Sequence, residues 1–148
     1  YMPFLSKRFA RDMAKCIQEN YFMQFDMITY TPLSKKSLRK RDYNQAYLLA
    51  KEISKILDIP LADLLIKVRK TKEQKSLNSR ERKTNVYGAF DLKDKDIVIN
   101  KRILLIDDVK TTGSTLNECA KMLNIYGAQS VWAATLAVAV PKEKGDKK

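Results

Sequence analysis

Ile103-Leu104-Leu105-Ile106-Asp107-Asp108-Val109-Lys110-Thr111-Thr112-Gly113-Ser114-Thr115 is the stretch that decides the fold of this chain. Its four consecutive apolar residues predict a strand covered on both faces, as in a parallel sheet flanked by helices. The strand delivers Asp107 and Asp108 to the carboxyl edge of the sheet, where open α/β folds bind ligands. A hydroxyl-rich run around Gly113 then enters a helix whose first N–H groups lack intrahelical partners and carry partial positive charge. Gly113 allows close backbone approach to a phosphate, and Thr111, Thr112, Ser114 and Thr115 offer hydroxyl donors. Two carboxylates would repel a phosphate, so they suit vicinal hydroxyls or a hydrated Mg²⁺. A phosphate site beside a diol site describes a ribose 5-phosphate.

Three other readings of this stretch fit it less well. A plain helix N-cap accounts for Ser114 or Thr115 but not for the acidic pair. A phosphate-loop NTPase needs Gly-x-x-x-x-Gly-Lys, which is absent. A receiver domain needs a phospho-acceptor Asp on a later strand, and the only Asp after Asp108 is Asp146.

Working outward, Leu5, Phe9, Met13, Cys16 and Ile17 recur at helical spacing. Met27–Thr31 is β-prone and stops at Pro32. Ser34–Arg41 carries five basic residues and no acid. Ala46, Leu49, Ala50, Ile53, Ile56 and Leu57 share one face of a helix ending near Asp58. Leu64–Val68 and Val86–Leu92 have strand character. Between them, Lys67–Lys83 holds eight basic and two acidic residues without periodicity, the pattern of a long functional loop. Leu116, Cys119, Ala120 and Leu123 mark a last helix, with Gly127 placed to end it. Ser130–Val140 reads as a buried strand, with Trp132 in the core. The alternation predicts an α/β fold with a mainly parallel sheet, a domain over 1–140 and a polar tail over 141–148.

The chain has 148 residues and a formal net charge of +12, which predicts attraction to anions such as phosphorylated sugars or nucleic acid. It has no histidine, so Ser-His-Asp and Cys-His catalysis are excluded. Cys16 and Cys119 lack the neighbours a zinc site needs. They are expected to be two buried free thiols, consistent with a cytoplasmic location. The most apolar run, Val131–Val140, is too short to span a bilayer, so no membrane insertion is expected. The first residue is Tyr1 rather than Met, consistent with a natural start upstream.

These residues resemble the phosphoribosyl-pyrophosphate signature of type I phosphoribosyltransferases, and more narrowly the ComF family of competence-associated proteins. Thr31-Pro32-Leu33 sits where that family places its pyrophosphate-contacting loop. Arg41-Asp42-Tyr43-Asn44-Gln45-Ala46 is similar to its Arg-Gly-Phe-Asn-Gln-Ala block, with Asp42 in place of the usual glycine. Thr71, Gln74, Leu77, Arg80, Arg82, Asn85, Gly88, Ala89 and Phe90 match its mobile hood segment. The zinc-binding cysteine module that often precedes the domain in full-length relatives is not in this sequence.

The resemblance implies a type I phosphoribosyltransferase-like sheet with a small hood or flexible loop, binding phosphoribosyl pyrophosphate with Mg²⁺. Asp107 to Thr115, including Val109 and Lys110, would hold the ribose 5-phosphate. The backbone of Pro32, Leu33 and Ser34 would contact pyrophosphate, with Lys35 or Lys36 as auxiliary charge. Mg²⁺ would be held mainly by the ligand rather than by side chains. Arg69, Lys70, Gln74, Arg80 and Arg82 are lid candidates, since an oxocarbenium-like transition state needs water excluded. Arg41, Asn44 and Gln45 read equally as ligand contacts or as helix-capping structure. Two functions follow. One is a phosphoribosyltransferase of unread acceptor. The other is a phosphoribosyl-pyrophosphate sensor that binds single-stranded DNA, with Tyr43 or Tyr87 as stacking surface, and works with DNA-uptake proteins in natural transformation.

Overall fold

A computed structural model describes residues 3–68, 88–110 and 113–138. The elements are α1 (Pro3–Asn20), β1 (Met27–Tyr30), α2 (Lys35–Arg41), α3 (Gln45–Leu57), β2 (Leu65–Lys67), β3 (Phe90–Leu92), β4 (Arg102–Lys110), α4 (Ser114–Ile125) and β5 (Ser130–Val138). The described part is an α/β structure built on a three-stranded parallel sheet, order β1-β4-β5. A separate antiparallel pair, β2 with β3, stands beside it.

β4 is central, and its apolar run is fully buried because both faces are covered. Strand side chains alternate between faces. Ile103 and Leu105 pack with α4 and the β2–β3 pair, through Leu116, Cys119, Leu123, Leu65 and Phe90. Leu104 and Ile106 pack with α1 and α3, through Ala10, Met13, Ile17, Leu49 and Ile53. The result is three layers with the sheet in the middle. β1 is held on its outer side as well: Ile28 donates to the Pro60 carbonyl at 2.8 Å and accepts from the Ala62 amide at 2.8 Å.

The strand order and register are fixed at the amino end of β4. The Asp26 carboxylate accepts from the Arg102 amide at 2.8 Å and from its guanidinium at 3.2 and 3.3 Å. These bonds hold the Asp26 carboxyl below its usual range. The pair is half-buried at the strand ends, and its value lies in aligning β1 with β4.

Several expectations need correction. The basic run Ser34–Arg41, to which the sequence assigned no secondary structure, is helical over Lys35–Arg41 as α2 and capped by Ser34, whose hydroxyl accepts from the Ser37 amide at 3.1 Å. β4 does not end at Ile106; it runs on through both carboxylates to Lys110. β5 is an edge strand and not a buried one, because among the described residues no strand pairs with its outer side. Trp132 therefore remains 39% exposed, leaning on Tyr21 with ring centroids 5.3 Å apart. Cys119 is buried as expected, but Cys16 is exposed; both are free thiols. Of the expected strand at 86–92, the described portion is β3, and 139–148 lie outside the described residues. No described helix is long and apolar enough to cross a membrane.

Asp42 ends α2 at φ +62°, the left-handed region a glycine enters without strain. The substitution of Asp for Gly in the resembled block thus leaves the turn intact, since Asp tolerates this region better than most residues. Asp42→Val should cost roughly 1–2 kcal/mol in urea unfolding, whereas Asp42→Gly should be close to neutral. Equal stability of the two variants would show that the left-handed turn is not formed.

Candidate functional site at the carboxyl end of the central strand

β1 and β4 are paired so that Tyr30 lies opposite Ile106. One step further, Thr31 falls beside Asp107 on the same face. The Thr31 hydroxyl donates to Asp107 Oδ1 at 2.8 Å, and the Thr31 amide donates to the Ile106 carbonyl at 3.0 Å. Asp107 Oδ1 also accepts from the Asp108 amide at 2.8 Å. Thr31 and Asp107 are both buried. The third member of the group is Asn44. Its side-chain NH₂ donates to the Thr31 carbonyl at 3.0 Å, and its Oδ1 accepts from the Tyr47 amide at 3.3 Å. Asn44 is thereby the N-cap of α3 and a tie to the loop at once.

This arrangement joins two of the stretches that the sequence singled out. The turn at 31–34 and the acidic pair are linked directly, and the start of the Asn44-Gln45-Ala46 helix is linked through Thr31. Pro32, Leu33 and Ser34 are half-buried in that turn, and Gln45 is the first residue of α3. Arg41 is exposed in the last turn of α2. Gly113 is the N-cap of α4 at φ +77°, a left-handed backbone conformation that favours glycine. Ser114 is buried at the first turn and Thr115 is half-buried. Thr111 and Thr112, and the lid candidates Arg69, Lys70, Gln74, Arg80 and Arg82, lie outside the described residues. Tyr87, the second stacking candidate, does too.

Sequence reasoning did not anticipate Thr31 as the partner of Asp107. Only the register shows it, because Thr31 lies 76 positions away in the chain. The electrostatic consequence is specific. Burial, then the neighbouring Asp108 carboxyl, pushes Asp107 up to about 7, against the pull of the Thr31 hydroxyl. Burial likewise pushes the Cys119 thiol up, with Asp107 adding to it, so that thiol is an inert core group.

Chemically, the site offers carboxylate oxygens that accept from hydroxyls, next to a helix start whose N–H groups attract anions. Among the described residues no three His, Cys, Asp or Glu side chains gather as metal ligands. The hard oxygen donors of Asp107 and Asp108 nevertheless suit Mg²⁺, an ion that usually keeps its waters and shares one or two carboxylates with substrate phosphates.

Comparison with known proteins defines the family and the fold. Residues 43–148 match the phosphoribosyl transferase domain family. The fold is that of the type I phosphoribosyltransferases: a purine phosphoribosyltransferase from Pyrococcus horikoshii superposes with a TM-score of 0.57 at 19% identity, over 96% of this chain and 81% of that one. The chain therefore belongs to the phosphoribosyltransferase domain family. Within it, the chain groups with competence proteins of the ComF type. It is 41% identical to Competence protein F of Haemophilus influenzae over 100 residues, covering 66% of this chain and 44% of that protein. It is 33% identical to Competence protein ComFC of Bacillus subtilis over 129 residues, covering 86% of this chain and 51% of that one. The chain spans about half the length of these relatives.

The raised Asp107 makes a pH prediction. Its carboxyl moves from 3.8 in the unfolded chain to about 7 in the folded one, so the folded state binds the extra proton between those values. Stability from this group is full below the lower value, falls as pH rises through the window, and stays low above it. Asp107→Asn removes the titration while keeping the acceptor oxygen. Thermal melts should show the variant gaining a few degrees on the wild type between pH 5 and pH 8. Parallel curves across that range would refute the assignment.

Proposed function

We propose that this domain binds phosphoribosyl pyrophosphate together with Mg²⁺ and acts as a phosphoribosyltransferase of the ComF type in DNA uptake. The observation that carries this reading is the Thr31–Asp107 bond. It ties the turn expected to meet pyrophosphate to the acidic pair expected to meet the ribose hydroxyls. In the proposal the loop 111–115 holds the 5-phosphate, and Asp107 with Asp108 accepts from the two ribose hydroxyls. The backbone of Pro32–Ser34 faces the pyrophosphate, with Lys35 or Lys36 adding charge. Mg²⁺, when bound, neutralises the leaving pyrophosphate.

What the chain's own residues do follows from their placement. Asp107, its carboxyl pushed up to about 7 by burial and by Asp108, takes up a proton as pH falls through neutrality and is hydrogen-bonded on one oxygen by Thr31. Ribose hydroxyls and a cation both favour its ionised form, so ligand binding should release a proton near pH 7. Calorimetry in two buffers of different ionisation heat should detect that proton. The same titrations, with and without Mg²⁺, test the binding itself. Asp107→Asn combined with Asp108→Asn should weaken phosphoribosyl pyrophosphate at least tenfold and abolish any pyrophosphate release. Unchanged affinity would sink the proposal.

A second role is favoured by α2. Its Lys35, Lys36, Arg39, Lys40 and Arg41 project from a helix with no buried residue. A solvent-facing basic helix suits the phosphates of a single strand, and the relatives' names refer to competence. On this reading the domain handles single-stranded DNA while bound to phosphoribosyl pyrophosphate. Binding of an oligonucleotide should weaken steeply as salt is raised, and Arg39→Glu with Lys40→Glu should flatten that dependence. Salt-independent binding would argue against an α2 interface.

A further inference from the structure

Thr31 is bonded through every polar group it has. Its amide donates to the Ile106 carbonyl at 3.0 Å, and its hydroxyl donates to Asp107 Oδ1 at 2.8 Å. Its carbonyl accepts from the Asn44 side-chain NH₂ at 3.0 Å. The first two bonds fix Thr31 to β4. Of the three, only the last acts on the peptide plane that leads into the turn. That plane joins Thr31 to Pro32, so it has no N–H, and the Thr31 carbonyl is its one hydrogen-bonding group. Asn44 holds that group, and rotation of this plane would swing residues 32–34 with it.

The far side of the turn adds no core anchor, because α2 follows it directly and buries no residue. Asn44 closes the excursion 13 positions after Thr31, at the start of α3. It is well anchored there. Its Oδ1 accepts from the Tyr47 amide at 3.3 Å, and α3 is packed into the core by Ala46, Leu49, Ala50 and Ile53. The side-chain carbonyl of Asn44 is thus spent on the helix, and one of its N–H groups on the turn.

We propose that Asn44 is a positioning residue for pyrophosphate: by holding the Thr31 carbonyl it keeps the 31–34 turn in the one conformation that presents the Leu33 and Ser34 amides to the ligand. The inference rests on the phosphoribosyl-pyrophosphate reading of the site. Pro32 has no amide to offer, so Leu33 and Ser34 carry the donors of the turn. Hydrogen bonds weaken steeply with misalignment, and ordering a loose turn costs affinity, so a turn released from Asn44 binds pyrophosphate less well.

Asn44→Ser separates the two bonds, since serine caps a helix about as well as asparagine but is too short to reach the Thr31 carbonyl. Calorimetry on the whole chain with Mg²⁺ should show phosphoribosyl pyrophosphate and inorganic pyrophosphate each binding about tenfold more weakly to this variant. Ribose 5-phosphate, measured by displacement of phosphoribosyl pyrophosphate, should bind as it does to the wild type. Asn44→Ala loses the cap as well, so it should melt lower than Asn44→Ser yet bind pyrophosphate no worse. In the ligand-free protein, backbone NMR relaxation should show Leu33 and Ser34 losing order in Asn44→Ser. Unchanged order would mean that Asn44 acts only by touching ligand, and would overturn the proposal. So would equal weakening of ribose 5-phosphate, or affinity that follows melting temperature across the two variants. If the wild type fails to bind phosphoribosyl pyrophosphate, the reading of the site fails and this inference falls with it. If the wild type binds and Asn44→Ser matches it, the inference alone fails.

Discussion

The hydrogen bond from Thr31 to Asp107 is the contact on which the site depends. A buried carboxyl is costly unless its oxygens are satisfied. Here one oxygen takes both the Thr31 hydroxyl and the Asp108 amide, at 2.8 Å each. The Thr31 partner exists only if β1 and β4 run parallel in their observed register. A slip of one residue would turn Thr31 to the other face and leave Asp107 without its hydroxyl partner. The apolar register upstream, Ile28 beside Leu104 and Thr29 beside Leu105, therefore does more than fill the core. It sets the polar contact at the strand end.

That dependence explains how a basic chain can keep an acidic pair at its functional edge. In isolation Asp107 and Asp108 would repel each other and resist burial. Protonation of Asp107 near neutrality relieves the repulsion while no ligand is present. A ligand with paired hydroxyls, or a cation, offers the same relief without the proton. On the proposed reading, the site would exchange a proton for a diol or a cation. A permanently ionised carboxylate, already satisfied by an arginine, would have no such preference.

Much of the fold was legible because its strongest signals are local. The run Ile103–Ile106, the apolar face from Ala46 to Ile53, and the glycine at 113 each follow from one element's own needs. What was not legible depends on neighbours. α2 buries no residue and is stabilised by the Ser34 cap, so no apolar period marks it. Trp132 is apolar enough for a core, yet it sits on an edge strand. Exposure there is set by which strands pair, and composition does not encode pairing. The same holds for the site. The residue types Asp107, Asp108 and Asn44 marked the candidate site, but the Thr31 link comes only from register.

The 31–34 turn is where these constraints meet, and its rigidity has a functional meaning. Its first residue is fixed to β4 by the Thr31 amide and hydroxyl. Its carbonyl at Thr31 is fixed by Asn44. Its last residue, Ser34, is fixed as the cap of α2. Pro32 restricts the backbone between them. A turn pinned at both ends pays little entropy when an anion meets its N–H groups, which is the condition for tight and selective phosphate binding.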